Sequence, residues 1–71
     1  MTAEEMFREL GYGRSTTTVG KITYYSADTL IIFYLIDKCY ESYYRYSDGN
    51  LAIDGKTHLA IHQQCKELGW I

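Results

Sequence analysis

Two short segments near the ends of this chain, Arg8-Glu9-Leu10-Gly11-Tyr12 and Lys66-Glu67-Leu68-Gly69-Trp70, share the order basic, Glu, Leu, Gly, aromatic. Upstream of each, apolar residues recur at helical spacing. Ala3, Met6, Phe7 and Leu10 fall at i, i+3, i+4 and i+7, and Ile61, Cys65 and Leu68 at i, i+4 and i+7. Glycine at the end of such a stripe takes the left-handed backbone that closes a helix, and the aromatic after it folds back on the last turn. Each copy is therefore a helix stop, which predicts Tyr12 against Phe7 and Trp70 against Cys65. The helix starts are marked as well. Thr2 and Glu5 have the spacing of a capping box, and Asp54 is placed to cap the second helix. The residues upstream of the two stops do not otherwise match, so the repeat does not imply a duplicated domain.

Between the helices the pattern changes to β-branched and aromatic residues, predicting strands over Ile22 to Tyr25, Thr29 to Ile36 and Cys39 to Tyr46. Asp37-Lys38 reads as a two-residue hairpin turn, which sets Leu35 opposite Tyr40, Phe33 opposite Ser42 and Ile31 opposite Tyr44. One face then holds Ile31, Phe33, Leu35, Tyr40, Tyr44 and Tyr46, and is assigned to the core beneath the helices. An even number of residues around Ser26-Ala27-Asp28 brings Ile22 and Tyr24 onto the same face. The other face holds Leu30, Ile32, Tyr34, Ile36, Cys39, Glu41, Tyr43 and Arg45. Gly13 to Gly20 reads as a polar loop and Ser47 to Asn50 as a tight connection, with room for a short fourth strand at Leu51 to Ile53. The expected fold is α+β: a three-stranded antiparallel meander, four-stranded with that addition, flanked by an N-terminal and a C-terminal helix (αβββα).

Seventy-one residues make a single domain, 1–71, of a size at which an apolar core needs reinforcement such as self-association. The 46% hydrophobic and 15% aromatic content is far above that of a disordered segment. A formal charge of −2, with acidic and basic residues interspersed, argues against duplex nucleic acid as a partner. No apolar run reaches membrane-spanning length, and Thr2-Ala3-Glu4-Glu5 stands where a signal peptide has a basic region. The expected location is a cytosol, with Cys39 and Cys65 reduced.

Few residues point to chemistry. His58, His62 and Cys65 lie at i, i+4 and i+7 of the last helix, a spacing that pairs of zinc ligands use, but a border stripe of that helix explains them as well. Cys39 lies on the sheet face away from the helix histidines, so no nucleophile and base are brought together, and the chain reads as a non-enzyme without a cofactor. The eight tyrosines carry more information. Tyrosine combines rigid apolar area with a polar tip and collects at interfaces. Tyr25, Ile32, Tyr34, Tyr43 and Arg45 are therefore expected to form a contact surface, for a second copy of the chain or for another protein. An alternative is an oligomeric sponge for a small cyclic nucleotide, with tyrosines stacking on bases and Arg14, Lys21 or Arg45 meeting phosphates. A third reading is a structural protein without a ligand.

The flanks Glu4-Glu5-Met6-Phe7-Arg8-Glu9-Leu10-Gly11-Tyr12 and Ile61-His62-Gln63-Gln64-Cys65-Lys66-Glu67-Leu68-Gly69-Trp70 resemble those of small uncharacterised accessory proteins from phages and prophages of Gram-positive bacteria. These pair a Glu-Glu-Met-Phe-x-x-Leu-Gly-Tyr helix with a helix ending in Glu-Leu-Gly-Trp, around a hydrophobic meander. The likeness covers about half the chain. The tyrosine-rich strands are less typical, and His58 stands where those proteins tend to have an apolar residue. The resemblance carries no catalytic residues. It implies an accessory protein in the host bacterial cytosol that binds a host protein, such as a component of antiviral defence, in the manner of an anti-CRISPR protein.

Overall fold

The computed structural model describes residues 1–71 and places a first helix, α1, at Ala3–Glu9. The capping box is present: Thr2 Oγ1 accepts the Glu5 N–H at 3.2 Å, and the Glu5 carboxylate accepts the Thr2 N–H at 2.8 Å. These bonds hold the Glu5 carboxyl below its usual pKa. The last helix, α2, spans Gly55–Glu67, and Asp54 caps it by accepting the Thr57 N–H at 2.8 Å. Both helices end as the glycines require. Gly11 (φ +92°) and Gly69 (φ +76°) take left-handed backbone, and the Tyr12 and Trp70 amides return to the Phe7 and Cys65 carbonyls at 3.0 and 2.9 Å. The Tyr12 ring meets Phe7 edge-on at 5.5 Å, whereas the Trp70 ring reaches past the helix to Phe33, at 6.1 Å.

The sheet has four strands in the order β1 (Gly13–Ser15), β2 (Lys21–Tyr25), β3 (Thr29–Tyr34) and β4 (Cys39–Tyr44), each antiparallel to the next. The fourth strand thus lies within the expected Gly13–Gly20 loop, while Leu51–Ile53 forms none. Three residues including Gly and Arg give no hydrophobic alternation, so β1 is recruited by the open edge of β2 and not by its own pattern. Ser26 donates its amide to the Thr29 carbonyl at 3.0 Å, leaving Ala27-Asp28 as the turn. The count is even, and Ile22 and Tyr24 are buried as expected.

The β3–β4 turn differs from expectation. Phe33 pairs with Tyr40 and Tyr34 with Cys39, so the turn is four residues, Leu35 to Lys38, closed by the Lys38 N–H on the Tyr34 carbonyl at 2.9 Å. Leu35 is held by β2's side of the sheet, its amide bonded to the Gly20 carbonyl at 2.9 Å, and it packs against the core. It is therefore unavailable to β4. The slip is two residues, an even number, so every side chain keeps its face.

The core consists of Phe7 from α1, Ile22, Tyr24, Ile31 and Phe33 from β2 and β3, and Ala60 and Ile61 from α2. It does not extend to β4. Tyr40 keeps 44% of its surface exposed and Tyr46, expected in the core, keeps 78%, because the chain has left the sheet before it. Phe7 stacks on Tyr24 with ring centres 3.8 Å apart, and the Tyr24 hydroxyl donates to the buried Gln64 of α2. The helices are also tied directly, the Glu67 carboxylate accepting the Ala3 N–H at 2.7 Å. A carboxylate at a helix N-terminus satisfies an otherwise unpaired amide and meets the positive end of the helix dipole.

Lys38 carries a side chain at φ +57°, a conformation that costs L-residues about 1 kcal/mol. Lys38→Gly should raise stability by up to that amount in urea unfolding, whereas Gly69→Ala should lower it by about as much. Burial pushes the Tyr24 phenol up to about 12 from 10.0, with Arg14 opposing the shift. The folded state then keeps its proton where the unfolded chain has lost it. The contribution of Tyr24 to stability should accordingly be intact below pH 10 and be lost between about pH 10 and 12, and Tyr24→Phe should make the fall over that range shallower.

Candidate interaction surface on the open sheet face

Successive side chains of a strand point to opposite faces, so residues alternating with the buried Tyr24, Ile31 and Phe33 face away from the helices. Both helices pack against the other face, on Ile22, Tyr24, Ile31 and Phe33. The rows of the open face follow from the register: Tyr25, Leu30 and Tyr43; Thr23, Ile32 and Glu41; Lys21, Tyr34 and Cys39. Ile32 sits at the centre and is only 8% exposed although no helix lies above it. Tyr25 and Tyr43, 43% and 38% exposed, flank the row beside it, and Tyr34 is half-buried. The expected set Tyr25, Ile32, Tyr34 and Tyr43 is therefore brought together on one surface.

The surface is flattened by two contacts. The Tyr25 ring lies across β1 so closely that a Cβ at Gly13 would stand 2.6 Å from its Cζ, and only glycine leaves it that seat. The Lys21 ammonium lies over the Tyr34 ring, 5.3 Å from its centre. Desolvation, with the adjacent Glu41 carboxylate adding to it, pushes the Tyr34 phenol above its usual pKa. Arg45 is at the far end, where its guanidinium donates to the Ser26 carbonyl at 2.9 Å and lies over Tyr46.

The three basic residues considered for phosphate binding do not converge. Arg14 pairs with Tyr24 and so belongs to the helix side, where it bonds Glu4 at 3.0 Å. Lys21 and Arg45 share the open face but lie at its opposite ends, about 20 Å apart by strand rise. The histidine set is likewise dispersed in environment. His58 and His62 are exposed, Cys65 packs against the core with its thiol pKa raised by burial, and no three His, Cys, Asp or Glu side chains are arranged to hold a metal ion. Cys39 and Cys65 are unpaired and lie on opposite sides of the sheet.

Two features leave little trace in the sequence. One is the seat that Gly13 gives Tyr25, whose only trace is a glycine beside an otherwise polar edge. The other is an open groove of about 280 Å³ between the helices, lined by Met1, Met6, Leu10 and Leu59 with Glu9 and Lys56. No helix is long and apolar enough to cross a membrane. Compared with known protein families, curated protein sequences and solved structures, the chain shows no significant match to any.

Gly13→Ala tests the geometry of the surface. Because the clash is with the tip of a mobile side chain, stability should change by less than about 0.5 kcal/mol. The Tyr25 ring should nonetheless leave β1, which NMR reads as lost contacts between its ring protons and residues 13 to 15.

Proposed function

We propose that this chain is a non-enzymatic binding protein that engages a protein partner through the open face of its sheet. The observation that supports this most is the set of tyrosines around Ile32, left uncovered where both helices lie on the other side. Aromatic residues of this kind, rigid and amphipathic, supply most of the binding energy in protein interfaces. The face has Lys21, Glu41 and Arg45 at its margins, the arrangement of an apolar centre with a charged rim. With the likeness of the flanking helices to phage accessory proteins, the partner is proposed to be a host antiviral-defence protein that the chain occupies and so inhibits.

The reading is tested by expressing the chain in bacteria that carry individual defence systems and challenging them with phage. One system should lose protection, and its purified target should bind the chain at micromolar concentration or below. Tyr43→Ala should weaken that complex by about 30-fold. Full protection across the panel, with no complex formed by any component, would reject the proposal.

A further inference from the structure

The open face is complementary to itself. Its β2 side carries Lys21, its β4 side carries Glu41, and β3 between them presents only Leu30, Ile32 and Tyr34. We infer that this face is closed by a second copy of the chain, packed face to face about a two-fold axis running along β3. The inference rests on reading the face as a contact surface, and makes the second copy its occupant until another protein displaces it.

The axis follows from the charges. A two-fold along β3 lays β2 of one copy over β4 of the other. Tyr25 then meets Tyr43, Thr23 meets Glu41, and Ile32 and Tyr34 each meet their own counterparts. Lys21 comes within one pleat repeat, about 7 Å along the strand, of the Glu41 of the second copy, a gap its long side chain spans. A two-fold across the strands through Ile32 would instead set Glu41 on Glu41. The flat seating of Tyr25 over Gly13 and of Lys21 over Tyr34 leaves room for sheets at the usual spacing of about 10 Å.

The area sets the strength. Three strands of five or six residues offer a face of about 15 by 20 Å, about 300 Å² in outline, so a pair covers about 600 Å² of outline in total, the size of a weak, transient contact. Such a dimer is reversible, and covers an apolar surface without sealing it permanently.

Sedimentation equilibrium of the chain alone, from about 5 μM to about 500 μM, tests the inference across the range a small interface implies. The mass should rise from one copy to two. Glu41→Lys sets like charges against each other across the axis and should weaken the dimer at least about tenfold, as should Lys21→Glu. The double variant Lys21→Glu/Glu41→Lys restores opposite charges across the axis and should recover wild-type association. Circular dichroism should show every variant folded, since Glu41 is exposed and Lys21 lies outside the buried core. A single-copy mass throughout, indifference to either single reversal, or no recovery in the double variant would overturn it. Because no other protein is present, these outcomes are independent of whether a host partner exists.

Discussion

Tyr24 joins the three parts of this molecule. Its ring lies flat against Phe7 of α1, its backbone sits in β2 between two other strands, and its hydroxyl reaches Gln64 of α2. A helix of seven residues has no stability of its own, so α1 exists because Phe7 has this ring to rest on. The hydroxyl matters for a different reason. Gln64 is buried, and a buried amide without a partner costs about 1–3 kcal/mol, so the tyrosine that supplies the apolar contact also satisfies the more deeply buried of the two buried polar residues of α2.

The helices determine what is left open. With seven and thirteen residues they cover β2 and β3 on one side and do not reach β4, whose tyrosines remain partly exposed on both faces. The apolar residues of the other face arise from the same strands, because a run such as Leu30-Ile31-Ile32-Phe33 is hydrophobic on both sides of the pleat. Such runs usually belong to sheets covered twice. Here only one cover is encoded in the chain, and the contrast between the strand sequence and the helix content is what gives the open face its significance.

How much of this was legible in the sequence depended on how local the cause was. The caps at Thr2 and Asp54 and the stops at Gly11 and Gly69 are set by residues within a few positions, and all four are where the pattern places them. The face of each strand residue was also legible, since alternation survives an even slip. The register of β3 on β4 was not, because it turns on whether Leu35 pairs with β4 or is held at Gly20, a choice made by a residue fifteen positions away. The same competition leaves Ile36 88% exposed in the turn, where pattern alone would keep it in the strand. β1 was hidden for the related reason that its only recommendation is the vacant edge beside it. At the surface, the tyrosine cluster could be named from alternation, but the separation of Arg14 from Lys21 and Arg45 emerges only once β1 is known to pair Arg14 with Tyr24.

The bond from Glu67 to the amide of Ala3 spans 64 positions of chain and is made by the shorter helix's only long-range polar anchor. Contacts of such separation come late, after the hairpins have brought the intervening chain into place. They also part early: when the last turn of α2 frays, the Ala3 amide loses its acceptor, while the Thr2–Glu5 capping box of α1 stays in place. The carboxylate of Glu67 thus works as a latch between the two ends of the chain, closing the helix layer over the sheet.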